Sequence, residues 1–132
     1  MGGFAGLKLI PLRLLRPHEQ VVESHVEELI NEIEADGVLR DPVYVDIVTG
    51  VILDGHHRTE ALRHLGYKRI PSVLVYYFSP EVRVGSWRPD VKVTKREVIY
   101  RGLNGRKFPP KTSRHVFPSR LTGLNVPLSL LD

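Results

Sequence analysis

Leu53-Asp54-Gly55-His56-His57-Arg58 is the stretch on which the reading of this sequence turns. Aliphatic residues lead into it, in Val51-Ile52-Leu53, and stop at Asp54-Gly55. Beyond Arg58 the pattern becomes helical over about Thr59 to Leu65, and Gly66 closes it. A strand therefore meets a helix across a glycine. The first turn of a helix carries backbone N–H groups without partners and the positive end of the helix dipole, and together these favour an anion. Gly55 leaves out a side chain that would block close approach. Arg58 offers a planar fork for phosphate oxygens, and His56 and His57 add donors. Asp54 would repel a phosphate unless it holds Mg²⁺ or orients an attacking hydroxyl. The plain alternative is a solvated corner, against which Asp, Gly, His, His and Arg together at one junction weigh.

Working outward, Val43, Val45 and Ile47 alternate with Tyr44, Asp46 and Val48, and Thr49-Gly50 turns the chain into Val51. This pattern predicts a hairpin. Val22, Val26, Leu29, Ile30 and Ile33 recur at helical spacing with glutamates on the outer face, ending at Asp36-Gly37. Leu7–Leu15, interrupted by Pro11, reads as an edge strand followed by a turn at Arg16-Pro17. Val73–Phe78 is apolar on both faces, which marks a central strand. Thr94 and Glu97 have capping-box spacing ahead of Val98-Ile99-Tyr100, which predicts a short helix broken by Gly102, Gly105, Pro109 and Pro110. The expected fold is α+β, one domain over residues 1–132 with a small mixed sheet and short flanking helices. Its core is expected over about 7–90, with a substrate loop and tail over about 91–132.

At 132 residues, 42% hydrophobic and 26% charged, the chain suits one folded domain with a real core. It has no cysteine, which excludes disulfides, thiolate metal sites and cysteine chemistry, and agrees with a cytoplasmic location. No stretch approaches the ~20 apolar residues of a membrane span, so no membrane partner is expected. The net charge of +4 permits nucleic acid, nucleotides or phosphorylated metabolites as partners. The basic residues are scattered, so a DNA partner is permitted without being singled out.

Other residues could join the corner. Glu19, in Pro17-His18-Glu19-Gln20, is either an acid favoured near a helix start or a general base projecting into a shared cleft. Lys111-Thr112-Ser113-Arg114-His115 is either a solvated basic loop or a clamp for a carboxylate or phosphate, with Arg114 the best bidentate candidate. Trp87, the sole tryptophan, has the character of a packing anchor. Adjacent histidines point different ways and nothing completes a tetrahedral set around His56 and His57, so zinc is disfavoured.

Leu15-Arg16-Pro17-His18-Glu19, Leu53–Arg58 and Gly66-Tyr67-Lys68-Arg69-Ile70-Pro71 resemble the ParB/sulfiredoxin superfamily domain. Pro71-Ser72-Val73, Tyr77-Phe78-Ser79, Trp87-Arg88-Pro89 and Lys111–Pro118 look like its archaeal free serine kinase branch. That resemblance implies phosphate transfer from ADP or ATP, with Mg²⁺, to the hydroxyl of free L-serine, in serine metabolism and cysteine biosynthesis. It implies Glu19 as catalytic base, Asp54 assisting chemistry or metal, and Gly55, His56, His57 and Arg58 on the nucleotide phosphates. It puts Trp87, Lys111, Thr112, Arg114 and His115 on the substrate side. The kinases of that branch carry a long extra segment where only Asp90–Pro110 intervenes here, so the acceptor stays open. A nucleotide-switched DNA-binding module of the ParB kind is the alternative. No helix-turn-helix pattern follows the core. Sulfinic-acid reduction would need a cysteine where His56-His57 stands.

Overall fold

The structure, a computed structural model, describes residues 3–132. Strand β1 (Phe4–Pro11) is followed by α1 (Glu23–Asp36), β2 (Val38–Leu39), β3 (Val43–Asp46), β4 (Ile52–Asp54) and α2 (His56–His64). Then come β5 (Arg69–Val75), β6 (Arg83–Ser86), α3 (Lys95–Asn104), β7 (Ser113–Val116) and β8 (Val126–Pro127). The main sheet has the order β1-β5-β3-β4. β5 runs parallel to β3, and the other two pairings are antiparallel, so the sheet is mixed. The α+β expectation is met.

The hairpin forms as the alternation implied, with Tyr44 opposite Asp54 and Val45 opposite Ile52. Because strand side chains alternate, Val43 and Val45 pack with Val26, Ile33, Ala61 and Leu62 under α1 and α2. Tyr44 joins Leu53, Val73, Val75, Val98 and Phe117 on the other face. Both faces are covered, which is why these strands read as nearly continuous apolar runs. β5 is central, as its sequence implied, and β1 lies on the edge. Ile70-Pro71-Ser72 belongs to β5 itself rather than leading into it, and Pro71 faces Leu9 of β1. The strand stops at Val75, and Tyr76 and Phe78 turn outward.

Helix α1 ends at Gly37 with φ 70°, the left-handed stop that glycine takes without strain. Thr94 caps α3 by accepting from the Glu97 N–H at 3.2 Å. Gly102 does not break that helix. It is buried inside it, where a Cβ would come 2.6 Å from Val51 Cγ2, so its small size lets α3 lie against the sheet. The stop is Gly105. Helix α2 starts at His56 rather than Thr59, directly after the glycine.

Residues 113–116 are not a loop. They form β7, paired antiparallel with β6, so that Arg114 faces Gly85 and His115 faces Val84. Among the described residues no helix is long and apolar enough to cross a membrane.

Candidate active site

At the corner, Gly55 has φ 107° and caps α2 without any side-chain hydrogen bond. The glycine was expected to clear the approach of a ligand. In fact a Cβ there would strike the strand behind it, 2.3 Å from Val43 Cγ1. The N–H of Thr59 is the first to bond back, to Gly55 O at 3.0 Å. Those of His56, His57 and Arg58 take no part in the described hydrogen bonds, as at the open start of a helix.

Glu19 lies against this corner. Phe108 N–H donates to His18 O at 2.9 Å and Gln20 N–H donates to Phe108 O at 2.8 Å, a short parallel bridge that fixes the Glu19 backbone. Its carboxylate is buried and receives the returning chain. Oε1 accepts from Thr112 N at 3.2 Å, Ser113 N at 2.9 Å and Ser113 Oγ at 2.9 Å. Among the described residues Oε2 accepts only from Lys111 N, at 3.0 Å. A carboxylate oxygen takes about two donors, so Oε1 is saturated and Oε2 is not. Glu19, Asp54, His57, Arg58 and Lys111 line one cavity of about 310 Å³. A second cavity, of about 400 Å³, adjoins it at Asp54, Trp87 and Ser113 and runs out along Arg114 and Arg120.

Arg58 is tethered from behind. Its Nη1 donates to Pro42 O at 2.6 Å and Asp41 O at 3.2 Å, while Nη2 lies 3.9 Å from Asp54 Oδ2. The guanidinium is thus aimed by backbone carbonyls, with one edge toward the cavity. Asp54 also takes a hydrogen bond from Arg120 Nη1, and Arg120 lies beside the rings of Tyr44 and Phe117. Sequence reasoning missed Arg120, which sits in a Pro- and Ser-rich tail with no motif to mark it.

The histidines are more occupied than the sequence suggested. His56 is buried and its Nε2 accepts from the His18 N–H at 3.2 Å. Burial, helped by nearby His18 and His115, holds its pKa well below the usual imidazole value. His57 Nε2 accepts from Val22 N at 3.0 Å, and burial with His25 alongside lowers its pKa too. Each ring therefore offers only Nδ1 as a donor. His115 is held by Tyr77 Oη at 2.8 Å, and burial drives its pKa down to about 3. It lines the second cavity as a neutral ring. His18 is fully buried. It hydrogen-bonds to Ile52 O at 2.7 Å and meets Ser113 Oγ at 2.8 Å.

In the Lys111–His115 segment, the Arg114 guanidinium lies over the ring of Trp87 at 5.0 Å, and Trp87 is exposed rather than the packing anchor its sequence suggested. The Thr112 hydroxyl is fully buried. It donates to Pro109 O at 2.7 Å and accepts from Arg88 Nε at 3.0 Å, so only the Thr112 N–H reaches Glu19. Arg88 and Ser113 stand in motifs the sequence singled out, yet no role was read for either, because their partners Thr112, Pro110 and Glu19 lie far away along the chain.

No family model matches the chain. Over 96 residues, 70% of this chain, it is 40% identical to the ADP-dependent L-serine kinase of Thermococcus kodakarensis. Over 103 residues, 72% of this chain, it is 36% identical to the ATP-dependent L-serine kinase of Desulfurococcus mucosus. The chain spans 40% of the length of each of these relatives. Its structure superposes on a free serine kinase in complex with ADP with a TM-score of 0.88, covering 97% of this chain and 95% of that one at 21% identity. Its fold is that of the free serine kinases. The resemblance drawn from Pro17-His18-Glu19 and the Asp54–Arg58 corner is borne out, in sequence by the L-serine kinases and in architecture by the solved structure.

Proposed function

We propose that the chain is a small-molecule kinase, moving a phosphate from ADP or ATP to the hydroxyl of free L-serine to give O-phospho-L-serine. The observation that carries this reading is the meeting, in one cavity, of the unsaturated Oε2 of Glu19 with the free helix start at His56–Arg58. The nucleotide phosphates bind the N–H groups of His56, His57 and Arg58, with the tethered Arg58 fork beside them. The serine hydroxyl points at Glu19 Oε2, which takes its proton as the oxygen bonds to phosphorus and the bond to the nucleotide oxygen breaks. Arg114 and Arg120 supply positive charge in the adjoining cavity, where the serine carboxylate lies. Catalysis here rests on position and electrostatics.

Mg²⁺ fits this arrangement. Asp54 Oδ2 faces Arg58 and Arg120, and Oδ1 is engaged in none of the described hydrogen bonds or ion pairs. Among the described residues no three His, Cys, Asp or Glu side chains gather to hold a metal alone. That suits an ion held by one carboxylate, the phosphates and water. Bound there, it would offset the phosphate charge. The reaction belongs to the cytoplasm, and its product suits cysteine biosynthesis.

The test incubates the chain with L-serine, Mg²⁺ and either ADP or ATP and follows phosphoserine by ³¹P NMR. Phosphoserine is expected with at least one donor. Glu19→Gln is expected to abolish it while the thermal melt stays cooperative. Absence of phosphoserine with both donors overturns the kinase reading, and undiminished turnover in Glu19→Gln overturns the base.

A further inference from the structure

Behind Glu19 lies a buried chain of polar groups that the proposed transfer does not itself use. The His18 Nδ1–H donates to Ile52 O at 2.7 Å. A carbonyl oxygen accepts only, so Nδ1 carries a proton. Burial lowers the His18 pKa, partly opposed by the Glu19 charge and reinforced by Arg101, and the ring is neutral. Its Nε2 is then an acceptor, and the group facing it is Ser113 Oγ at 2.8 Å. The same hydroxyl faces Glu19 Oε1 at 2.9 Å. Ser113 has one proton and two acceptors. Whichever it leaves is short of a donor inside the protein, where such a lapse is costly. The shortfall is unequal. Glu19 Oε1 keeps the Thr112 and Ser113 N–H groups, whereas His18 Nε2 has no other donor among the described residues.

The geometry points to Ser113 as a rotor between Glu19 and His18, with His18 a positioning residue that takes the hydroxyl when Glu19 holds a proton. While Glu19 is a carboxylate, the hydroxyl turns to the stronger, charged acceptor and His18 Nε2 goes unmatched. Once Oε2 gains a proton the charge is gone, and the hydroxyl swings about Cβ–Oγ to His18. No bond to carbon or oxygen is made or broken in that swing. The protonated state thereby gains a hydrogen bond to imidazole, which offsets the one its own oxygen gives up. The rings of His56, 4.6 Å away, and Phe108, at 6.2 Å, wall His18 in and hold it in register.

The part of this inference that concerns catalysis rests on the kinase reading. The rotor itself does not, so two measurements separate them. In protein labelled with ¹⁵N-histidine, His18 is expected as the Nδ1–H tautomer. Glu19→Gln, a neutral mimic of the protonated acid, is expected to shift the His18 Nε2 resonance toward the hydrogen-bonded value. The same substitution on a Ser113→Ala background should leave that resonance still. An Nε2–H tautomer, or a resonance indifferent to Glu19→Gln, overturns the rotor.

The second measurement compares His18→Gln, whose amide reaches the Nε2 position, with His18→Asn, which reaches only Nδ1. Phosphoserine formation is expected to lose about tenfold in kcat at unchanged KM in His18→Asn, the worth of about one hydrogen bond. His18→Gln should restore most of it. Equal kcat in the two variants, both folded by their amide spectra, overturns the positioning role. Wild-type protein that makes no phosphoserine, yet shows the NMR response, sinks the kinase reading and leaves the rotor standing.

Discussion

Replacing Gly55 by alanine tests the corner on which the site is built, and the structure supplies two separate costs. The first is backbone strain. At φ 107° an L-residue is in a sparsely populated region, which costs about 1–3 kcal/mol. The second is packing. The new Cβ would lie 2.3 Å from Val43 Cγ1 and 2.8 Å from Val43 Cβ, in a wall of the core where overpacking costs about 1–3 kcal/mol. The sum is about 4 kcal/mol, which for a chain of this size lowers Tm by roughly 12–20 °C. Calorimetry on Gly55→Ala, Val43→Ala and the double variant separates the terms. Val43→Ala removes Cγ1 but keeps the Cβ at 2.8 Å, so the double variant should lose about 1–2 kcal/mol less than the sum of the singles, while the φ strain persists. A Gly55→Ala melt within about 2 °C of wild type, or strict additivity in the cycle, would refute the account of the corner.

Acid should unfold this protein early. His115 has a folded pKa of about 3, and His18 and His56 are lowered in the same direction by burial. Below an unfolded value of about 6.5 the unfolded chain binds the extra protons, so stability falls as pH falls, by up to about 1.4 kcal/mol per unit for each ring held neutral. Urea unfolding at pH 7.5, 6 and 5 checks this, and a flat profile contradicts it. Arg120→Ala removes an exposed partner of Asp54, so it should change stability by under about 1 kcal/mol. Because the same guanidinium charge faces the proposed substrate cavity, phosphoserine formation should fall by about tenfold or more, a loss that steady-state kinetics with varied serine would show.

Periodicity and punctuation were enough to place α1, its stop at Gly37, the β3–β4 hairpin, the capped start of α3 and the centrality of β5. Each of these follows from residues within one or two turns of each other. The Asp54–Arg58 corner was legible for the same reason, since a strand, a glycine and a helix start are consecutive in the chain. What Gly55 is for was not legible, because Val43 lies twelve positions upstream and touches it only through sheet pairing. Gly102 misled for a like reason: its helix runs on because Val51, remote in sequence, fills the space a side chain would take. The pairing of β6 with β7 turned an expected loop into a strand, and it presents Lys111, Thr112 and Ser113 to Glu19 across more than ninety residues. Charge and hydrogen-bond state were decided there as well. Burial made His18, His56 and His115 neutral and tied them to fixed partners, and local sequence carries no record of how deep a ring will lie.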